Sequence, residues 1–448
     1  MESRNRRPVI VAVIGLALAA GSAVAQSPAP DTPVRLSFAE AISRAAGTAP
    51  SVRLAGNQVD QARARVRQTR ASLLPDLSAT GSWVSQTLNP QAFGFSSSQF
   101  PLPRVLGPFD LYDGRLHLTQ TLFDFAARDR IRAARTQVTG AQADSDLTSE
   151  SAGQLTGLAY LRGVRADAQV AARRADSSLA AELVRLAQAQ QDAEVGTQID
   201  VTRAQTQLVA AMGALLVARN DQRRTRIDLA RSLGLAPDAP IELTDTLGPS
   251  LAQADLPDGR DAQVSGALER RPDLAAGNAR VRAARQAAQA ISAERLPRLD
   301  LAAGYGTSGL APLDGTATRM VAVQITVPIL DGFRREGRRA EQELVVQGTE
   351  LRNEELRRQI AADVDAARLD LASAGEQQAI ASERLRLAQD ELNQSRERFK
   401  AGVAGNIEVI EAQVSLIRAR DADIDTRYAA AVARVALARA VGVARMLH

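Results

Sequence analysis

Leu74-Pro75-Asp76-Leu77 returns as Leu296-Pro297-Arg298-Leu299, and Leu122-Phe123-Asp124 returns as Ile329-Leu330-Asp331. Further along and in the same order, Val195-Gly196 is matched by Ala401-Gly402, Ile199-Asp200-Val201 by Ile407-Glu408-Val409, Ala204-Gln205 by Ala412-Gln413, and Leu229-Ala230 with Gly234 by Leu437-Ala438 with Gly442. Matches in a conserved order mean an internal duplication. Asp200 to Gly234 and Glu408 to Gly442 are both 34 steps, whereas Pro75 to Asp124 is 49 and Pro297 to Asp331 is 34. The halves therefore differ by a 15-residue insertion within Asn89–Asp110, whose Pro, Ser, Gly and Phe content predicts a surface loop.

Each half opens with a helix of alanine, arginine and glutamine that runs into Leu-Pro, where proline stops it and an alternating segment begins. Leu77, Ala79 and Trp83 alternate with Ser78, Thr80 and Ser82; Leu116, Leu118 and Leu122 alternate with Arg115, His117, Thr119 and Thr121. In the second half Leu299, Leu301, Ala303 and Tyr305 alternate with Arg298, Asp300 and Ala302, and Val321, Val323, Ile325 and Val327 with Ala322, Gln324 and Thr326. Strands are expected at 76–86, 114–123, 298–306 and 318–327, each near the ~10 residues that a membrane-spanning β-strand needs. After each second strand an unbroken helical stretch follows, Phe125 to about Ala193 and Gly332 to about Lys400. At ~1.5 Å per residue each reaches on the order of 100 Å. Each ends at a glycine turn, near 196 and near 402, and returns as a shorter helix, with stripes such as Leu179, Leu183 and Leu186 suited to an antiparallel coiled coil.

This divides the chain into a first repeat at 26–235, a connector at 236–262 and a second repeat at 263–448. The connector, rich in Pro, Asp and Gly, is expected to have little structure beyond a short strand at Ile241-Glu242-Leu243. Residues 1–25 read as a secretory signal: Arg4, Arg6 and Arg7 precede the apolar run from Val9 to Ala20, and Ala23-Val24-Ala25 offers a cleavage site before Gln26. The run falls short of the ~20 residues of a membrane anchor, and no other stretch is expected to cross a membrane as a helix.

Among 448 residues, 45% are hydrophobic and only 3% aromatic, which suits thin, closely packed helices better than a bulky core. The formal charge of +4 is a near balance of 55 basic and 51 acidic residues, so no nucleic-acid partner is implied. Zero cysteine excludes disulfides, thiolate metal sites and cysteine nucleophiles, and His117 and His448 alone make no histidine metal site. Gly304-Tyr305-Gly306-Thr307-Ser308-Gly309 satisfies the dinucleotide fingerprint, but Pro312 and Gly315 follow where a helix is required, so a glycine-rich hairpin loop is expected instead. With no nucleophile elbow, phosphate loop or metal-protease helix, neither an enzyme nor a cofactor is expected. Glu408 and Glu411, three residues apart just past the second tip, share one helix face, and Asp200 holds the corresponding place after the first tip. Acids there also serve as ordinary helix caps.

An exported chain with internal duplication, two strand pairs, two long helical hairpins and glycine tips resembles the TolC family of outer-membrane efflux proteins over essentially the whole mature length. The specific points are Leu122-Phe123-Asp124, Arg270-Arg271-Pro272-Asp273-Leu274, Phe399-Lys400-Ala401-Gly402 and Ile407-Glu408-Val409-Ile410-Glu411-Ala412. The resemblance implies an α+β membrane protein, a homotrimer with a 12-stranded β-barrel in outer-membrane lipid and an α-helical barrel in the periplasm of a Gram-negative cell. It also implies work with an inner-membrane pump and a periplasmic adaptor as the exit duct of an efflux or secretion system for small toxic molecules, proteins or metal ions. Glu408, Glu411 and Asp200 match the family's periplasmic gate, and Val195, Gly196, Thr197, Ala401, Gly402 and Val403 match its adaptor-docking tips. Where the family often carries an arginine after the second tip, this chain has Ala404, leaving Arg203, Arg396, Arg398 and Lys400 as candidate substitutes. Independently of the resemblance, four strands cannot close a barrel, since single-chain barrels begin at about eight. The competing class is a water-soluble periplasmic coiled-coil protein of structural or adaptor type.

Overall fold

The computed structural model describes residues 33–93, 103–312, 314–403 and 405–447. The leader, the centre of the inserted loop and Ala404 lie outside them. In chain order the elements are β1 (Val34–Leu36), α1 (Phe38–Thr48), α2 (Pro50–Ala71), β2 (Asp76–Leu88), β3 (Leu106–Phe123), α3 (Phe125–Asp192), α4 (Gln198–Ser232), β4 (Ile241–Leu243), α5 (Arg260–Arg270), α6 (Pro272–Ala293), β5 (Arg298–Gly309), β6 (Thr316–Thr326), α7 (Arg334–Lys400) and α8 (Asn406–Val441).

Proline punctuates both halves alike. Pro50 and Pro272 stand at the first position of α2 and α6, where a missing N–H costs nothing, and hold Ala49 and Arg271 extended so that the chain kinks between α1 and α2 and between α5 and α6. Asp124 caps α3 by accepting the Ala126 N–H at 2.8 Å. Its counterpart Asp331 instead accepts from Arg335, through the backbone N–H at 3.2 Å and Nε at 2.9 Å.

The sheet is antiparallel in the order β2-β3-β5-β6. Leu77 pairs with Leu118 and Leu299 with Ile325, the same register in both hairpins once the two halves are aligned. Between the hairpins, Leu118 pairs with Ala303 and Leu116 with Tyr305. All of these side chains lie on one face of the sheet. The other carries Ser78 beside His117, Asp300 beside Gln324, and a Thr121 hydroxyl donating to Asp300 at 2.9 Å. Thus an apolar face runs unbroken across four strands, and Val323 on it is 62% exposed.

The helices form a strip of the same order. Along its sheet-proximal half α2, α3, α6 and α7 lie side by side; along its distal half the order is α4, α3, α8, α7. Where the halves of the strip meet, α1, α5 and the parallel pair β1–β4 wrap the main hydrophobic core, centred on Phe38, Ile42, Tyr160, Leu274, Ile360 and Val364. The Tyr160 hydroxyl donates to the Asp245 carboxylate at 2.8 Å and lies 2.9 Å from the Leu36 carbonyl.

Several expectations need correction. Leu106–Asp110, read as loop, extends β3, because Leu106 finds a ladder partner in Leu88. Gly304–Gly309 is strand, not hairpin loop; a Cβ on Gly306 would collide with Arg115 and the Gly114 carbonyl, so the glycine there serves close strand approach. The connector is more structured than its composition implies: β4 pairs with β1, and α5 starts at Arg260, inside the segment read as linker. Finally, α4 contains an 18-residue window of mean hydropathy 1.2, long and apolar enough for a membrane span by composition. It packs along α3, leaving Val209, Met212 and Leu216 exposed on one flank.

Candidate functional site

The two helical hairpins turn at the end of the strip farthest from the sheet. In both, the last turn closes in the same way: the Val195 N–H donates to the Gln190 carbonyl and Glu194 N–H to Gln191, while Val403 N–H donates to Arg398 and Gly402 N–H to Phe399. The left-handed residue of this motif is Gly402 at φ 67° in the second tip and Glu194 at φ 58° in the first. The structural equivalent of Gly402 is therefore Glu194, and Val195 matches Val403, two positions away from the Val195-Gly196 and Ala401-Gly402 alignment expected from sequence. Gly196 is needed for a different reason: a Cβ there would lie 3.0 Å from Gln190 Cβ. Thr197 follows, exposed, as the cap of α4.

Asp200 accepts from the Thr197 hydroxyl at 2.5 Å and from its backbone N–H at 3.2 Å, with Arg203 only 3.9 Å away. This is the geometry of a helix cap. Asp200 is also joined to the second tip, since buried Asn406 donates from Nδ2 to the Asp200 carbonyl at 2.8 Å. A second crosslink runs from Gln190 Nε2 to the Phe399 carbonyl at 3.0 Å. Beneath them Leu183, Leu392, Phe399, Val409 and Leu416 form a small apolar core that fixes one hairpin against the other.

Of the four candidate cations, Arg398 takes Glu408, with Nε 2.9 Å from Oε1. Arg396 reaches across to Glu182 at 3.1 Å, and Lys400 pairs with Glu397 at 2.8 Å and holds that carboxyl below the usual range. Glu411, one turn beyond Glu408, is exposed and has no ion-pair or hydrogen-bond partner among the described residues. So the tip acids split into a cap, a paired carboxylate and a free one. Sequence reasoning missed Asn406 and Gln190, whose contacts are with backbone carbonyls and leave no pattern. The two tip valines that it did name are exposed, Val195 at 79% and Val403 at 69%, but it passed over Ile199 and Ile407, exposed one turn on. Their signal was present in the repeated Ile-acid-Val triplets.

A family model described as outer membrane efflux protein matches residues 41–235 and 264–443, one repeat in each segment. The chain belongs to this family. The family consists of outer-membrane channel proteins rather than enzymes, and this member is an outer-membrane exit duct of the efflux and secretion type. It is 26% identical over 361 residues to the outer membrane efflux protein BepC of Brucella suis, covering 76% of this chain and 77% of that protein. It is 30% identical over 233 residues to the alkaline protease secretion protein AprF of Pseudomonas aeruginosa, covering 50% and 47% of the two chains. Its fold is that of the solved channel CusC, with a TM-score of 0.78 at 19% identity over 94% of this chain and 95% of that one.

Proposed function

We propose that three copies close head to tail into a 12-stranded barrel in the outer membrane and a helical barrel below it. This closed tube carries small toxic molecules from an inner-membrane pump, through a periplasmic adaptor, to the outside of a Gram-negative cell, once the leader has been removed at Gln26. The observation that supports closure most strongly is the pair of unmatched edges. The sheet ends in β2 on one side and β6 on the other, and the helical strip ends in α2 and α4 on the β2 side and α7 on the β6 side. Unpaired strand edges are untenable in lipid, where every backbone group needs an internal partner.

The exposed side chains fit the same joint. Leu344, Leu351, Leu369, Ile380 and Leu387 make one stripe along α7, opposite the face that buries Ile360, Val364 and Leu392. On the facing edge α4 offers Val209, Met212 and Leu216, which accounts for its apolar window without a helical membrane span. An edge of one kind meeting an edge of another is a heterologous contact, which generates a ring when the rotation closes. The internal β3–β5 joint is its template: His117 opposite Gly304 implies Gln324 of one copy opposite Ser82 of the next. The apolar sheet face would meet lipid and the polar face the lumen. In this tube the tips form the far end, Glu408 and Glu411 ring the constriction with Asp200 behind them, and the residues from Val195 to Thr197 and Ala401 to Val403 dock the adaptor.

The cysteine-free chain makes the test clean. Ser82→Cys with Gln324→Cys, oxidised in outer-membrane fractions, is expected to give covalent trimers that extract only with detergent. A soluble monomer, or crosslinks with a two-residue shift of register and none at this pair, overturns the reading.

A further inference from the structure

At the junction of sheet and helices, on the outer side of the first repeat, a cavity of about 530 Å³ is walled by Arg70, Arg128, Arg132 and Arg135 with Leu73, Leu74 and Ile131. Four arginines thus line it and no carboxylate does; Arg132 pairs with Asp129, outside the lining, at 2.9 Å. Arg70, Arg128 and Arg135 have no acidic partner among the described residues.

The side of the wall on which this cavity opens follows from its neighbours. Arg298 and Thr326, opposite each other on the polar face of the sheet, share a cavity with Arg130 of α3. Arg128, Ile131, Arg132 and Arg135 lie on the far side of α3 from Arg130, at 100° per residue. They therefore continue the apolar face of the sheet. Gln120, from that apolar face, donates to the Leu73 carbonyl at 3.5 Å, and Phe123 packs edge-on against Phe125 at 4.5 Å just above. Arg128 and Arg132 fall within about 11 Å of the start of α3, the depth of lipid headgroups below a hydrocarbon layer spanned by the strands. Because α3 runs away from the sheet, its long side chains lean back toward that layer.

The second repeat acts as an internal control. With Asp124 aligned to Asp331, Arg128 corresponds to Arg335 and Arg132 to Arg339; Asp331 pairs with the first at 2.9 Å and Glu343 with the second at 2.8 Å. Arg132 is thus paired just as its counterpart is, whereas Arg335 is neutralised and the aligned Arg128 has no carboxylate among the described residues. We propose that the cavity bounded by Arg70, Arg128 and Arg135 binds the phosphodiester headgroup of an anionic glycerophospholipid of the periplasmic leaflet, with Leu73 and Leu74 against its acyl chains. Arginine forks match phosphate oxygens, and basic residues at this depth attract anionic lipid. The site rests on the reading that the sheet spans the membrane.

The test uses the detergent-purified full-length protein in nanodiscs of equal parts phosphatidylglycerol and phosphatidylcholine, with native mass spectrometry counting retained lipid. Phosphatidylglycerol should be enriched, the enrichment should fall as salt is raised, and excess inorganic phosphate should leave most of it in place. Arg70→Gln with Arg128→Gln and Arg135→Gln should reduce the enrichment by on the order of tenfold, whereas Arg339→Gln in the second repeat should leave it unchanged. Undiminished enrichment in the triple variant overturns the proposal. So does full displacement by phosphate without a preference for phosphatidylglycerol, which would mark a free-anion site. If the triple variant does not assemble, enrichment in wild type that ignores salt overturns it just as well. A chain that fails to enter nanodiscs at all refutes the membrane reading instead.

Discussion

In the first repeat the returning helix α4 leaves Leu216 70% exposed, while in the second repeat the same position on α8 is Ile424, 9% exposed. Both sequences are long amphipathic helices past a tip, and neither looks like an edge or a centre. The difference comes from position in the strip: α8 is packed along its length by both α7 and α3, whereas α4 is packed along its length by α3 and meets α8 at the tip, through Asn406. A duplicated ladder with two ends cannot bury both repeats equally within one copy. The inner joint, α3 against α6 and α8, is the intramolecular version of the joint that α7 would make with α2 and α4 of a neighbour. Replacing Leu216 by Asp should therefore leave the protomer folded and abolish the trimer, while Ile424→Asp should unfold the protomer. Burying an unpaired carboxylate at either place costs several kcal/mol, roughly 3 or more. Size-exclusion chromatography with circular dichroism separates the outcomes; a Leu216→Asp trimer of normal yield would break the comparison.

What the residues disclosed and what they hid follow the same division. The strand pairs, the long helices and their proline stops were legible because alternation, 3.6-residue stripes and Leu-Pro junctions are local and appear twice. The parallel pairing of β1 with β4 was not, since Val34-Arg35-Leu36 and Ile241-Glu242-Leu243 are three-residue strands separated by some 200 positions and carry no periodicity. Among the tip residues, sequence identified the acids but not their states. That Arg398 and not Lys400 pairs with Glu408 depends on side-chain reach across the turn, and Lys400 was claimed first by Glu397, three residues back on its own helix.

The middle of the strip offers the next contrast. Glu150 on α3 is 8% exposed, whereas the aligned position on α7 is the exposed Arg357. Burial raises the Glu150 carboxyl from 4.5 to about 7; Arg445 at 3.9 Å opposes the shift, Asp273 and Asp146 add to it, and Arg271 opposes it. The folded chain therefore holds a proton on Glu150 that the unfolded chain has released. Stability from this group is intact below about pH 4.5 and falls as pH rises toward 7, by on the order of 3 kcal/mol at pH 8. Glu150→Gln should raise the thermal midpoint at pH 8 and change it little at pH 5. Equal effects at both pH values would show that the carboxyl is not protonated in the fold.

A smaller difference separates the tips. The left-handed position is glycine in the second tip and Glu194 in the first, where an L-residue at φ 58° costs about 1 kcal/mol. Glu194→Gly should stabilise the first tip by up to about that much, and Gly402→Ala should weaken the second by a similar amount, its Cβ pointing into open space. Amide hydrogen exchange at Val195 and Val403 reads both. If the two changes shift protection in the same direction, the turns are not equivalent in the way their hydrogen bonds imply.

The smallest effect on stability is expected at the acids themselves. Arg398 and Glu408 are 56% and 40% exposed along their side chains, so the pair contributes at most about 1 kcal/mol, and Glu411 has no partner to lose. Their consequence lies in the field they would set up in a ring of three copies. Glu408 arrives with a guanidinium 2.9 Å away that cancels much of its charge at a distance, whereas Glu411 arrives uncompensated. Three free carboxylates around a narrow axis attract cations and exclude anions. Glu411→Gln should therefore reduce cation selectivity and block by multivalent cations in planar bilayers more than Glu408→Gln does, although the two positions are a single turn apart. Arg398→Gln should do the reverse, freeing Glu408 and deepening selectivity with little change in thermal midpoint. Equal reductions from both glutamate variants would mean that Arg398 leaves Glu408 when the ring assembles. No change from either would leave these acids with the capping role that Asp200 already performs at the first tip.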